Sequence, residues 1–340
     1  MTTITAAPFR VARSARHRWP LAAYAGRRIV AGVITLFIAT ILIFLVIQIL
    51  PGDVAQIVLG RNSNPQRVAE INAQLHLNAS LPSRYWQYLT GLLAGNLGNS
   101  TAGLVQGVQT SVSGIVGPAL AHSLELALIV MVLFVPLTLV LGVVSGSRVG
   151  GGIDHSISTT TLAISALPEF LVGTVLIFLF FTELGWFAPV SEIPQGESPF
   201  AHPNLLVLPV LTLLLVSAAF GARLLRASVA EVLTQDYITS ARLNGYSRRR
   251  IISRYLLPNA LVPTIQILAQ QIQYLIGGIV IVEAVFNYPG IGNQLVRAIS
   301  VRDVQEIMVI TTILAALYIS INIIADVLCV AIDPKVRTTI

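Results

Sequence analysis

The sequence predicts an all-α membrane protein with about six transmembrane helices. Its 340 residues are 55% hydrophobic and only 11% charged, whereas about a quarter of the residues in soluble domains are charged. Apolar stretches of about twenty residues recur along the chain, and a helix of that length crosses a hydrocarbon core of roughly 30 Å. A soluble fold of this composition would lack the polar residues that a water-facing surface needs.

Six segments are long and apolar enough to span a bilayer. The first, Ile29 to Leu50, has no charged residue, and its Leu, Ile, Val and Phe side chains each favour insertion by roughly 0.3 to 0.6 kcal/mol. The further predicted spans are Ser123 to Gly146, Ile157 to Thr182, Leu205 to Leu225, Leu261 to Phe286 and Val304 to Ile332. The chain therefore divides into a tail (1–28), the first span (29–50), a long loop (51–122), a core of five helices (123–332) and a second tail (333–340).

Arginine positions orient these spans, because positively charged loops stay on the cytoplasmic side of a membrane. Six spans place both termini on one side, and that side carries sixteen of the 21 Lys and Arg residues. The opposite side carries the other five. Both termini are therefore predicted to be cytoplasmic. This asymmetry also accounts for the net charge of +6 without nucleic-acid binding.

The long loop, residues 51–122, is predicted to be external and to contain short helices. Apolar residues recur at helical spacing from Val68 to Leu75 and again from Tyr85 to Leu93. Loops of this length usually have a structure of their own. Two interpretations are open: a platform that shapes the outer mouth or meets a delivery protein, and a cap that packs on the ends of the spans.

The cytoplasmic stretch between the fourth and fifth spans predicts a separate short helix. Asp236 suits an N-cap and Gly245 suits the position just beyond a helix end, so Tyr237 to Asn244 can form about two turns. Ala241 would leave a small surface where another backbone can approach. Pro258 falls where the next span starts, a position that tolerates a missing N–H group.

These residues resemble a known motif. Ala241, Gly245 and the pair Leu257-Pro258 are similar to the cytoplasmic EAA loop of permeases in binding-protein-dependent ABC importers. Three positions depart from that pattern: Thr239 replaces its glutamate, Asn244 a frequent lysine and Tyr255 a late isoleucine. The wider sequence resembles the first permease subunit of dipeptide and oligopeptide transporters, at Leu50–Asp53, Ala222–Arg226, Gln235–Tyr237, Asn259–Pro263, Val282–Phe286, Pro289–Gly292 and Asp333-Pro334.

The resemblance implies an ABC type I importer permease fold in a bacterial plasma membrane, with a coupling loop at 226–260. It implies that the short helix docks in a groove of an ATPase. The implied partners are a second, homologous permease, two ATP-binding subunits or one fused ATPase, and an extracytoplasmic substrate-binding protein. The residues that the resemblance assigns to ATPase coupling are Asp236, Tyr237, Ala241, Arg242, Gly245, Leu257 and Pro258.

No catalytic motif is visible in the chain. A phosphate-binding P-loop needs Gly-Lys-Ser/Thr, and the only lysine, Lys335, follows a proline. ATP and Mg²⁺ are therefore expected on partner subunits, and the chain is predicted not to be an enzyme. The single cysteine, Cys329, and the five scattered histidines lack metal-ligand spacing, so we expect neither a metal site nor a cofactor.

The fifth span carries a polar stripe. Gln266, Gln270, Gln273 and Gly277 fall within about 40° on one helical face. Amides in hydrocarbon need hydrogen-bond partners, so this face should point to protein or water. Either it lines the translocation path or it forms hydrogen bonds between helices.

Acidic residues within the spans are further candidates for the path. Glu169, counted from Ile157, falls near mid-membrane, where a charged carboxylate is stable only beside water or a partner. It is predicted to face a cavity, with binding of a substrate's amino terminus as one possible role. Glu283 lies near the outer end of its span, as a gate or a rim. Asn322 and Asp326, four residues apart, are predicted to form a structural pair.

Three functions are compatible with these patterns. The favoured one is a permease subunit that forms half of the pore of an ATP-driven di- or oligopeptide importer. A nickel or haem importer permease of the same family is the first alternative. A proton-coupled secondary carrier is the second, although such carriers usually have more spans or a second repeat. The sequence does not determine which substrate is carried.

Overall fold

The computed structural model describes residues 20–49, 79–194 and 196–332, together with 64, 66 and 69. Within these ranges the elements are helical, apart from one isolated bridge between Asn99 and Ser111, which confirms the all-α class. The predicted tails beyond these ranges and the pattern from Val68 to Leu75 lie outside the described residues. In chain order the helices are α1 (Pro20–Ile49), α2 (Leu81–Leu93), α3 (Thr101–Val105), α4 (Val112–Gly146), α5 (Gly152–Ser165), α6 (Glu169–Ile177), α7 (Pro203–Leu233), α8 (Asp236–Leu243), α9 (Arg248–Ile251), α10 (Leu257–Val285), α11 (Ile291–Val301) and α12 (Val304–Ile332).

Five of these helices, α1, α4, α7, α10 and α12, are long and apolar enough to cross a membrane, and α5 with α6 can form a sixth, bent span. The prediction of about six spans is therefore confirmed. The bounds of α12 match those predicted. In contrast, α1 begins at Pro20 rather than Ile29, and α4 begins at Val112, within the expected loop. Ser111, at the N-cap of α4, is a residue type that favours a helix start there.

The predicted third span, Ile157 to Thr182, is broken. Helix α5 ends at Ser165, α6 begins at Glu169, and the two are bent by 101°. Pro168 supplies no N–H donor, and it also disfavours helical backbone at the residue before it. Glu169 therefore lies in the first turn of a new helix, so that its depth cannot be counted along a continuous helix from Ile157, and its position near mid-membrane stays a prediction.

Helix α7 lies at the centre of the bundle. Its most apolar window is 72% buried, whereas the corresponding window of α1 is 17% buried. The largest apolar cluster joins α7 to α4, α6 and α10. Two glycines of α4 permit close packing, because a Cβ added at Gly142 would lie 2.7 Å from Leu225 and one at Gly146 would lie 2.7 Å from Val229.

The described part of the long loop packs as a cap on α1 and α12. Tyr88 of α2 is buried, and its hydroxyl lies 2.6 Å from the Thr312 hydroxyl of α12. Burial raises the pKa of Tyr88 to about 12. The Tyr85 ring meets Phe44 of α1 at 5.4 Å between ring centroids. These contacts favour the cap over a free platform.

Candidate functional site

The predicted short helix is present as α8. It starts at Asp236, one residue earlier than expected, and Gln235 is its N-cap. Asp236 therefore does not cap the helix, but its charge in the first turn still suits the helix dipole. Asn244 is the C-cap, and Gly245 follows with a φ of 75°. This is the left-handed conformation expected of a glycine just beyond a helix end.

The inner face of α8 is fixed to the segment that follows it. Ile238 is fully buried and Ala241 is 3% exposed, and both pack against Ile251 of α9. Tyr246 and Tyr255 flank this cluster and stack with ring centroids 5.9 Å apart. The small side chain of Ala241 is therefore buried by packing within the chain, and its predicted part in ATPase coupling stays a prediction.

The outer face of α8 is free in the described part of the chain. Asp236, Thr239 and Leu243 lie opposite the buried side chains at 100° per residue, and all three are exposed. Leu243 is 84% exposed at the centre of this face. We did not single it out from the sequence, although its helical offset from Ile238 would have placed it there. Tyr237 is 39% exposed at the edge of this face.

Four other residues of the predicted coupling set lie around α8. Arg242 and Gly245 are exposed at its end. Leu257 and Pro258 open α10 and directly follow a π-helical segment, Ile252–Leu256. Leu257 is half-buried and Pro258 exposed. The Leu-Pro pair therefore starts the next span and is not part of the α8 surface.

An ion pair between a half-buried arginine and a buried aspartate ties the end of α7 to α5. Two guanidinium nitrogens of Arg226, Nε and Nη2, donate to the Asp154 carboxylate at 2.5 and 2.7 Å. The same carboxylate accepts from the Ser145 hydroxyl at 2.5 Å and from the Gly150 amide at 2.9 Å. Asp154 is 3% exposed, so α4, α5 and α7 are joined beside the segment that leads into α8. No local sequence pattern predicts this pair, because its two residues lie far apart in the chain.

A cavity of about 680 Å³ opens along the polar face of α10. It gathers four predicted path residues, Glu169, Gln270, Gln273 and Gly277. Tyr274 of α10 and Tyr318 of α12, which the sequence analysis did not select, complete its polar lining. The Gln266 side chain lies outside the described residues.

Glu169 forms one wall of this cavity. It is 7% exposed, and its side chain lies beside that of Tyr274. A Cβ added at Gly278 would come within 3.3 Å of the Glu169 Oε1 atom. The glycine therefore leaves the space that this carboxylate occupies. The prediction that Glu169 faces a cavity is consistent with this placement, and its role toward a substrate stays a hypothesis.

The polar stripe is divided between a contact with another helix and a cavity, and its place on the translocation path stays a hypothesis. The Gln273 amide donates to the Asn322 Oδ1 atom of α12 at 3.1 Å, while Gln270 is exposed in the cavity. The predicted pair of Asn322 with Asp326 is wrong. Asp326 instead forms an ion pair with Arg28 of α1, which joins the first and last spans.

Glu283 does not line the cavity. It is fully buried and accepts from the Ser123 hydroxyl at 2.5 Å and from the Gly292 amide at 2.7 Å. The Ile291 amide in turn donates to the Ser123 hydroxyl at 2.8 Å. A Cβ at Gly290 would overlap the carboxylate. Glu283 thus holds the start of α11 against α4, a contact favoured by the helix dipole.

The fold and these surfaces define a class: a polytopic membrane protein with an open cavity along α10 and a short helix, α8, that packs on the chain through one face and leaves the other exposed. Among the described residues, no group of three or more His, Cys, Asp or Glu side chains is placed to hold a metal ion. Residues 138–338, more than half of the chain, match the family described as binding-protein-dependent transport system inner membrane component. Residues 22–107 match the amino-terminal part of such membrane components. The chain belongs to this family.

Individual relatives cover almost the whole chain. It is 34% identical over 318 residues to the "Probable peptide ABC transporter permease protein y4tP" of Sinorhizobium fredii, covering 92% of this chain and 99% of that protein. It is 32% identical over 314 residues to the glutathione transport system permease protein GsiC of Escherichia coli, covering 92% and 98%. The GsiC protein of Pectobacterium atrosepticum is 33% identical over 313 residues, with 92% and 97% covered.

Proposed function

We propose that this chain is a permease subunit of an ATP-driven importer for short peptides. The observation that carries the proposal is the outer face of α8, where Leu243 is 84% exposed on a helix whose other face is buried. A groove on a partner would remove this apolar side chain from water, which favours binding. The family membership and the names of the peptide and glutathione permeases support a peptide cargo.

The coupling route runs from α8 into the bundle. The partner ATPase supplies ATP hydrolysis, and its movement reaches α8 through the outer face defined by Asp236, Thr239 and Leu243. Ile251 links α8 to the start of α10, and the Arg226–Asp154 pair holds the end of α7 to α5. A push on α8 is therefore carried to the helices that wall the cavity.

The cavity on α10 supplies half of the translocation path. Gln270, Tyr274 and Gly277 are exposed in the chain alone, as expected for a surface that a second permease completes. Amide and phenol groups bind a peptide backbone with net hydrogen-bond energies of only about 1 kcal/mol each, so a passing peptide is not trapped. Glu169 offers the one carboxylate on this wall, which suits the amino terminus of a peptide.

The orientation follows from the arginine distribution, with both termini in the cytoplasm and the α2–α3 cap on the outside. The partners proposed are a homologous permease, ATP-binding subunits and an extracytoplasmic binding protein. ATP and Mg²⁺ belong to the ATP-binding subunits.

Reconstitution in vesicles tests this proposal. The chain is combined with a homologous permease, ATP-binding subunits and a substrate-binding protein from the same organism, and uptake of labelled trialanine, glutathione and Ni²⁺ is measured with and without internal ATP. We expect ATP-dependent uptake of one or both peptides and none of Ni²⁺. Uptake by this chain alone under a proton gradient, or ATP-dependent uptake of Ni²⁺ only, would contradict it.

A further inference from the structure

A basic cavity of about 380 Å³ lies at the end of the bundle that carries α8. It is separate from the cavity along α10. It lies between the end of α4 and the segment that runs from α9 into the following π-helical turns. Its polar lining consists of Arg148, Arg248, Arg249, Ser147 and Ser253. The proposed function assigns no role to this cavity.

The charge of this cavity is one-sided. The eight residues that line it include three arginines and no carboxylate, and all three arginines are exposed. Arg248 is held in place, because its Nη2 atom donates to the Ser147 carbonyl at 2.8 Å. Guanidinium groups match the geometry of phosphate oxygens through paired N–H donors. The exposed edge of the cavity, where the arginines lie, is therefore suited to a phosphate group.

The remaining lining is apolar and belongs to the membrane. Val143 and Val144 lie in the last turn of α4, which is one of the membrane-spanning helices. Ile252 completes the apolar side. A ligand here would have its phosphate among the arginines and its apolar part against the end of a span.

We propose that this cavity binds the headgroup phosphate of an anionic phospholipid from the cytoplasmic leaflet. Basic pockets between transmembrane helices on the cytoplasmic side bind such headgroups. The inference rests on the proposed orientation, which places this end of the bundle in the cytoplasm. A free phosphate shares the charge chemistry but has no apolar part to occupy the valine side.

Lipid in this cavity would stabilise the docking helix. The cavity bridges the end of α4 and α9, and Ile251 of α9 packs on Ile238 and Ala241 of α8. An occupied cavity therefore restrains α8 in the position that the partner ATPase meets. Anionic lipid should raise ATP-driven uptake without contacting the peptide.

Binding to the full-length chain in detergent tests the site without any need for ATP or peptide. Native mass spectrometry follows titration with dioctanoyl phosphatidylglycerol and, separately, dioctanoyl phosphatidylcholine. Inorganic phosphate is added as a competitor. We expect phosphatidylglycerol to bind at least about 25-fold more tightly than phosphatidylcholine, since each of the three arginines contributes about fivefold toward a net negative lipid, and millimolar phosphate to leave it bound. Displacement by phosphate would overturn the lipid assignment in favour of a free anion.

Two double variants give the matched comparison. Arg148→Gln with Arg249→Gln removes two charges from the cavity and leaves the Arg248–Ser147 bond intact. Arg250→Gln with Arg254→Gln removes two charges from the same segment, and neither side chain lines the cavity. At about fivefold per arginine, the cavity variant should bind phosphatidylglycerol about 25-fold more weakly than the control. Equal losses in both variants would overturn the proposal.

Two further measurements keep the test decisive. The melting temperature of the Arg148→Gln/Arg249→Gln variant in lipid-free detergent should match that of the unmodified chain. If the double variant does not fold, Arg249→Gln against Arg250→Gln makes the same comparison, with about a fivefold difference expected. The amount of ATPase that co-purifies with the cavity variant, in detergent without anionic lipid, should equal the amount that co-purifies with the unmodified chain. Its loss in the cavity variant alone would assign these arginines to the protein interface and overturn the lipid site.

Discussion

Glu169 combines burial with an open cavity beside it. Its carboxylate is 7% exposed, lies next to Tyr274 and fills the space left by Gly278. A buried carboxylate in a membrane helix is costly unless it is solvated or paired. A peptide amino group that passes through the cavity would supply that partner.

Glu169→Gln should lower uptake of trialanine by about tenfold, since a hydrogen bond to a charged group contributes about 1.5 kcal/mol or more. Uptake of N-acetyl-trialanine, which has no charged amino terminus, should change little. Glu183→Gln, an exposed glutamate beyond α6, is the control. Equal losses for both peptides would show that Glu169 has only a structural role.

A glycine is favoured at position 245 by the left-handed backbone conformation and not by a lack of room for a side chain. Its φ is 75°, and a Cβ there would meet nothing within 4 Å. Gly245→Asn should therefore retain ATP-driven uptake, because asparagine tolerates the left-handed region, whereas Gly245→Val should lose most of it. Uptake and co-purified ATPase measure both effects. If the two variants behave alike, the left-handed turn is not what positions α8.

At the scale of the element, α8 has one packed face and one exposed face. Ile238 and Ala241 fix it to α9, and the opposite face, with Leu243 at its centre, stays exposed. This division leaves the helix rigid before a partner binds. A rigid docking helix loses little conformational freedom on association.

Leu243→Asp should reduce co-purified ATPase about tenfold or more, since burying a leucine contributes roughly 1.5–3 kcal/mol. The thermal stability of the chain itself should hardly change, because Leu243 is 84% exposed. Leu93→Asp is the matched control, since Leu93 is 82% exposed on α2 at the other end of the protein. An undiminished yield of ATPase with Leu243→Asp would contradict the assigned docking face.

At the scale of the whole molecule, Asp303 joins the outer cap to the last span. It is fully buried. Its carboxylate accepts from the Ser100 hydroxyl and from the amides of Thr101, Ala102 and Glu306 at 3.0 to 3.1 Å. One side chain thus holds the first turns of α3 and α12 together.

Asp303→Asn should loosen the cap, because its amide nitrogen would face N–H donors in place of an acceptor. We expect a loss of about 2–3 kcal/mol, typical of one or two hydrogen bonds to a charged group. A lower melting temperature in detergent and faster proteolysis between α2 and α4 would show it. Asp236→Asn, at an exposed aspartate, should change neither, and an unchanged Asp303→Asn protein would contradict the clamp.

Sequence patterns predicted the elements that depend on neighbouring residues in the chain. Apolar length determines a span, and α12 has the bounds predicted for it. Gly245 marks a helix end through its own backbone preference, and α8 lies within one residue of its predicted position. The bend after Ser165 was missed even though Pro168 is visible in the sequence, because apolar length was weighed above the backbone effect of proline.

Contacts between side chains far apart in the sequence became known only from the tertiary structure. Nothing local pairs Asp326 with Arg28, Arg226 with Asp154, or Glu283 with Ser123. The apolar composition by itself determined that this chain is a membrane protein, because the free energy of insertion is a sum over single residues. The arginine pattern by itself predicted the orientation of the spans. Only the tertiary structure showed which polar groups face the cavity and which form contacts within the bundle. A buried charge is stabilised by whichever partner lies close to it in space, and sequence separation does not reveal that partner.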